Sequence, residues 1–470
     1  MTNRKREKLR NMKTKITFLF ALLFVGFAGF AQQDEECMTK LSIFHEYVKA
    51  KNYDAAYEPW KAVREKCPKF NIAIYIDGEK ILEDKLYKVE GDEKVAVIND
   101  LLKLWEQRVE YFPSKTPKGE FAAQACQLQY DNYKLLNKSA EDLYACFDAA
   151  YKLDKATFTN PKSLYTYFSL MVDLYDAKKK TDAELFDKYD DVAEKIESEV
   201  KNYSEKLNPI IEKEEAGTEL SSKDKQYKKY YESYLGAYDQ VSGAMDKKLG
   251  DRANCENLIP LYEKDFEANK TNITWVRRAV AKMYEKECTD SPLFVKLVNA
   301  QHELNPSANS AYYLGVLKDK EGKSDEALTF YKEAISLETD NFEKSKITYK
   351  LGRSFQKKGS FGTARDYYRQ TLRLNPSNGR PHLAIAAMYA ASANSCGDTP
   401  FNKRAVYWLA AQEAAKAGNV DATLKKSAAQ SVASYNAKAP QRSEIFSSGS
   451  AGKVINIGCW INGSVTVPSI

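Results

Sequence analysis

ANSAYYLGVLKDKEGKSDEALTFYKEAISLETDNFEKSKITYKLGRSFQKKGSFGTARDYYRQTLRLNPSN, residues 308–378, carries one pattern twice, in units starting at Ala308 and Ser345. Leu314, Gly315, Ala327 and Tyr331 of the first copy are matched by Leu351, Gly352, Ala364 and Tyr368 of the second. Ala334 completes the first copy, and Phe355 and Pro376 the second. A repeat of this length predicts one helical hairpin per unit. Such a hairpin cannot bury its apolar face alone, so neighbouring hairpins must stack into a solenoid. Small residues such as Gly315, Ala327 and Ala334 let helix backbones approach, while Tyr331 and Tyr368 are expected to fill the gap to the next hairpin. Leu374-Asn375-Pro376 ends its helix, because proline disfavours helical geometry in the preceding residue and lacks the amide that the next turn needs. All these positions read as structural and none as catalytic.

The same residues resemble the signature of the tetratricopeptide-repeat (TPR) family. Residues 38–70 resemble it again: Tyr47, Ala56, Trp60 and Pro68 keep the register, Asn52-Tyr53-Asp54 supplies the turn, and Phe44 replaces the usual small residue. The resemblance implies an all-α, TPR-type α-solenoid of stacked helical hairpins, here with a short C-terminal β-like tail. It also implies ligand binding along the concave surface formed by the first helix of each hairpin. The family's variable groove positions map onto Tyr312, Val316, Lys346, Tyr349, Arg353, Gln356, Lys357 and Arg380. An extended peptide fits such a lining, with aromatic rings for stacking and guanidinium groups for carboxylates. The carboxylate-clamp pattern of chaperone-binding TPR domains is not matched.

Working outward, the chain divides into residues 1–31, a signal peptide; 32–210, degenerate TPR-like repeats; 211–307, middle hairpins; 308–437, the clear repeats; and 438–470, a linker and β-like cap. Asp77-Gly78 punctuates an unclear pattern over 72–100, and a helix from Lys94 to Phe112 is ended by Pro113. Residues 130–153 and 163–208 read as aromatic-rich helical pairs. Glu212 to Asp224 is nearly devoid of apolar residues and reads as an exposed turn between long helices, with an interdomain hinge as the alternative. Ile385, Ala386 and Tyr389 start a third clear unit, whose loop is expanded over Ser392 to Thr399. Ser447-Ser448-Gly449-Ser450 reads as a flexible link, and residues 454–467 alternate in a manner suited to β-structure. That tail is expected to cover the last repeat, or else to offer a strand to a partner sheet.

Lys13 and Lys15 precede the apolar run Ile16 to Phe30, and Gly29-Phe30-Ala31 offers the small residues that signal peptidase reads. The run is too short for an easy membrane anchor and is followed by Gln32-Gln33-Asp34-Glu35-Glu36, so a cleaved secretory signal is expected, with Met1 or Met12 as the start. Residues 1–31 hold seven Lys or Arg against one acid, Glu7, a surplus equal to the whole-chain net charge of +6. The mature chain is then neutral overall, which argues against a nucleic-acid partner. Eight cysteines without a CxxC pair, and only three histidines, favour disulfides over metal ligands in an exported protein. Cys37 with Cys67, Cys126 with Cys146, and Cys255 with Cys288 flank turns, leaving Cys396 with Cys459.

Signatures of catalysis are missing: no HExxH, GxSxG or GxxxxGK[ST] occurs, and His45 and His302 fall within helical segments. Acidic pairs such as Asp190-Asp191 read as solvated helix faces. No catalytic residue, cofactor or metal is expected. The reading is a non-enzymatic scaffold, exported to the periplasm or the outer membrane, that binds envelope proteins or extended peptide segments during assembly or secretion. No integral membrane span is expected after signal cleavage. The Gln32-Gln33 start and high Tyr and Lys content are similar to exported TPR proteins of Bacteroidota-like bacteria. The alternative is a SusD-like carbohydrate- or peptide-binding receptor.

Overall fold

The computed structural model describes residues 35–469; the expected signal peptide, residues 1–31, lies outside them. The described chain divides into two compact units, one ending at Leu174 and the other running from Tyr175.

The first unit begins with α1, residues 35–49. It continues with α2 (Tyr53–Lys66), α3 (Ala73–Lys88), α4 (Gly91–Tyr111), α5 (Lys118–Asp131), α6 (Ala140–Leu153) and α7 (Pro161–Asp176). Asn52 starts α2 by accepting a hydrogen bond from the Ala55 amide, and Ser139 with Asp142 closes a capping box at α6. Phe44, Trp60, Tyr75, Ile81, Leu101 and Trp105 form its core. Asp77-Gly78 does not interrupt the chain, contrary to the sequence reading, but lies inside α3. Glycine is required there by a neighbour: a Cβ on Gly78 would fall 2.4 Å from Trp60 Nε1, which donates to the Ile74 carbonyl at 2.7 Å. Disulfides Cys37–Cys67 and Cys126–Cys146 tie α1 to α2 and α5 to α6.

The second unit opens with two long helices, α8 (Asp182–Glu215) and α9 (Ser222–Leu249), joined by an exposed turn as expected. α8 continues through Pro209, which forgoes one backbone hydrogen bond without ending it. Then follow α10 (Cys255–Asn269), α11 (Ile273–Glu285), α12 (Pro292–Leu304), α13 (Ala308–Lys320), α14 (Ser324–Leu337), α15 (Asn341–Lys357) and α16 (Phe361–Leu374). After these come α17 (Arg380–Ala391), the short α18 (Ala393–Cys396), α19 (Pro400–Val420), α20 (Lys425–Lys438) and α21 (Arg442–Ser448). The second clear unit starts at Asn341 rather than Ser345, because the Asp340 carboxylate accepts from the Glu343 amide at 3.0 Å and caps the helix earlier.

Within each clear hairpin one close contact sets the packing. A Cβ on Gly315 would sit 2.4 Å from the Tyr331 ring, and one on Gly352 would sit 2.6 Å from the Tyr368 ring. Each tyrosine therefore fills a notch in its own hairpin. Its hydroxyl is held there too: Tyr331 donates to Asp319 and Tyr368 to Gln356, both at 2.6 Å. Thr348 and Thr371 pair their buried hydroxyls at 2.9 Å between α15 and α16.

Ser447 and Ser448 belong to α21 and are not a free link; Gln441 and Glu444 cap its start, and Gly449 ends it at φ 60°. The tail forms two antiparallel strands, β1 (Val454–Ile457) and β2 (Gly463–Thr466), with Val454 opposite Thr466 and Ile457 opposite Gly463. Ile457, Ile461, Val465 and Val467 share a core with Tyr389 and Trp408. Trp460 lies against Tyr389 and Phe361 and donates from Nε1 to Ser392 Oγ at 2.9 Å, while Cys396–Cys459 fastens the hairpin to the expanded loop. Cys255–Cys288 completes the sequential pairing that the turns predict. No described helix is long and apolar enough to cross a membrane.

Candidate partner-binding groove

The first helices of the stacked hairpins, α11, α13 and α15, line one side of a groove of about 1330 Å³, and α8 lines the other. The α8 acids fall at positions 190, 191, 194 and 197, which share one face of a helix. Asp190 meets Lys282 at 3.2 Å, Asp191 meets Arg278 at 2.8 Å, and Glu194 meets Arg277 at 3.0 Å and Arg278 at 2.7 Å. Glu197 pairs with Lys346, which also contacts Glu343 at 2.7 Å. Further along, Lys201 reaches Asp340 at 2.5 Å, and Asn208 Oδ1 accepts from the Ser377 amide at 3.0 Å.

Burial sets the charge states. Asp190 is not the solvated acid that its sequence context suggests: its side chain is 12% exposed, and desolvation pushes its pKa up to about 6 against the opposing pull of the Lys282 ammonium. That ammonium lies 3.4 Å from the centroid of the Tyr189 ring. Burial draws the Lys346 pKa down, but Glu197 and Glu343 outweigh it and leave the group raised. At Lys350 burial prevails and the pKa is lowered.

Of the positions mapped from the sequence, Val316, Lys346, Arg353 and Lys357 line this groove. Tyr312 is fully buried, its hydroxyl 2.6 Å from that of Tyr284, and the neighbouring Tyr313 takes the wall. Tyr349 packs its ring 5.6 Å from that of Tyr368, and Gln356 accepts from the Tyr368 hydroxyl. Arg380 pairs with Asp239 at 2.8 Å beside a smaller cavity of about 370 Å³ that shares Glu197 and Lys346 with the main groove. Sequence reasoning missed Lys350, Tyr284 and the α8 acids. Lys350 was within reach, since it follows Lys346 by four and precedes Arg353 by three on one helical face. The histidines are engaged elsewhere: His45 with Asp77 at 2.6 Å, His302 with Ser310 at 3.0 Å and His382 with Glu413 at 2.7 Å.

Stacked hairpins locked by glycine–tyrosine contacts define a helical-repeat protein of the TPR type. No protein-family model matches the chain. It is 42% identical over 66 residues to the photosystem I assembly protein Ycf3 of Acaryochloris marina, covering 14% of this chain and 40% of that one. Ycf3 of Cyanophora paradoxa is 35% identical over 107 residues, 21% of this chain and 62% of that one. The chain thus spans between 40% and 62% of the length of these relatives. Among solved structures, yeast Tom70 is similar at 12% identity over 88% of this chain and 90% of its own, with a TM-score of 0.30. A tetratricopeptide repeat protein from Parabacteroides merdae is 12% identical, covering 67% and 97%, with a TM-score of 0.23. The human IFIT1 dimer with PPP-AAAA is 15% identical, covering 76% and 73%, with a TM-score of 0.32. At these scores the structural likenesses carry nothing about ligands.

Proposed function

We propose that this chain is a non-enzymatic TPR scaffold that binds segments of other proteins in the bacterial cell envelope. The observation that carries the reading is the groove between α8 and the first helices of the hairpins, with Val316, Lys346, Arg353 and Lys357 on one wall. Four disulfides support an oxidising, exported compartment, and cleavage after Ala31 is part of the same proposal. A role in assembly, which the names of the two curated relatives carry, fits a protein that holds others without chemistry of its own. In-cell photo-crosslinking from position 316 tests it, with exposed Lys332 on α14 as the control position. Crosslinks to the same envelope proteins from 316, absent from 332 and lost on Arg353→Glu, are the expected result. A chain that crosslinks equally from both positions, or from neither, overturns it.

A further inference from the structure

α8 already shows what the groove's hairpin wall recognises. Four of its acids on one helical face are matched to Arg277, Arg278 and Lys282 of α11 and to Lys346 of α15. The cationic face of α15 then continues past Lys346, the α15 residue with which α8 makes an ion pair. Lys350 and Arg353 both line the groove, and among the described residues neither has a carboxylate within ion-pair distance. Lys350 is built into its place: its ammonium stands 5.7, 5.3 and 5.5 Å from the ring centroids of Tyr284, Tyr312 and Tyr313. Three rings hold the charge in place on the groove lining, and an ammonium has three donors to offer.

We propose that this open part of the groove binds an acidic segment of a partner protein, with Asp or Glu side chains on Lys350 and Arg353 in continuation of the pairing that α8 makes. The inference rests on the scaffold reading and names the chemistry of its partner. The charge of a bound carboxylate also opposes the desolvation that lowers the Lys350 pKa, as Glu197 and Glu343 already do from farther away. A nucleic-acid strand fits less well. Glu197, Glu287, Glu343 and Asp319 are interleaved with the cations along the same walls, so a continuous phosphate backbone meets repulsion that separated carboxylates avoid.

Fluorescence anisotropy with the full oxidised chain tests the proposal, using labelled ten-residue peptides of alternating Glu and Ala, Gln and Ala, or Lys and Ala, and a ten-nucleotide single-stranded RNA. The Glu peptide is expected to bind, to weaken at high salt, and to lose about tenfold with each of Lys350→Gln and Arg353→Gln, the usual scale for one charge-assisted contact. Arg353 is exposed, so its variant leaves the fold intact, and Lys426→Gln, exposed on α20, serves as the unchanged control. Equal binding of the Glu and Gln peptides, tighter binding of the Lys peptide or of the RNA, or no binding of the Glu peptide overturns the proposal. If the Glu peptide fails while crosslinking from position 316 still captures envelope proteins, the scaffold reading stands and only its acidic chemistry is lost. Binding of the Glu peptide without cellular crosslinks removes the scaffold reading instead.

Discussion

Substituting Gly352 by alanine tests the contact that defines the repeats. The new Cβ would lie 2.6 Å from both Tyr368 Cδ1 and Cε1 and 3.0 Å from Cζ, against about 3.5 to 4.0 Å for relaxed carbon contacts. Tyr368 cannot yield: it is fully buried, its hydroxyl is held by Gln356, and its ring rests on Tyr349. Overpacking of this kind costs about 1 to 3 kcal/mol, and the better helix propensity of alanine returns about 1 kcal/mol. The net loss is therefore up to about 2 kcal/mol. Tyr368→Ala alone should cost about 3 to 5 kcal/mol, as for other large aromatic truncations. The decisive measurement is the double-mutant cycle. Once the ring is gone, Gly352→Ala no longer clashes and should become neutral or stabilising by up to about 1 kcal/mol, giving a coupling of about 2 kcal/mol. Urea unfolding followed by far-UV circular dichroism, with disulfides intact, reads all four corners. If Gly352→Ala costs the same in both backgrounds, to within about 0.5 kcal/mol, the glycine is not there for the tyrosine and the packing argument is wrong.

Asp190 makes a pH-dependent prediction of unusual sign. A carboxyl whose folded pKa is raised to about 6 binds its proton more tightly when folded, so its contribution rises as pH falls through the window between about 6 and 4 and is lost above it. At 1.36 kcal/mol per unit this amounts to at most about 3 kcal/mol, and the stability of the wild type relative to Asp190→Asn should increase by that order between neutral and mildly acidic pH; a pH-independent difference refutes the assignment. Replacing Cys396 and Cys459 by serine opens a crosslink between positions 63 residues apart, which loop-closure entropy values at about 4 kcal/mol. Hydrogen exchange at β1 and β2 should accelerate in that variant, and unchanged protection would show that Trp460 and its neighbours hold the tail alone. A non-reduced peptide map of the secreted protein should recover four crosslinked peptides in sequential pairing, and a free thiol at any of the eight positions contradicts it.

The repeats were legible because their decisive contacts are local. Gly315 with Tyr331, and Gly352 with Tyr368, sit at a fixed offset inside one hairpin and leave the same mark each time. Tyr312 and Tyr313 show the limit of that reading. Adjacent helical residues point about 100° apart, so a slip of one position exchanges a ring that does not line the groove for one that does, although both rings are buried. Gly78 failed for another reason: glycine is a helix breaker when judged alone, and only the Trp60 ring folded over it explains its place in α3. The α8 wall left no local trace, since Glu194 lies 83 residues from Arg277 and Glu197 lies 149 from Lys346. Its acids form a stripe that is visible in sequence, but a solvated face and a face turned to a groove carry the same spacing until the partner helices are in place.

Charge balance over the whole chain likewise conceals what the groove does with charge. The expected mature chain is neutral, yet the second unit sets acids of α8 against cations of α11 and α15 across a single groove. An incoming acidic segment that displaced α8 would exchange one carboxylate for another on Arg278 or Lys346, so each new ion pair would be offset by the one it broke. On Lys350 and Arg353 nothing has to be broken first. Affinity for such a segment should therefore originate at these two residues, with the α8 pairs holding the opposite wall at the distance that keeps the groove open.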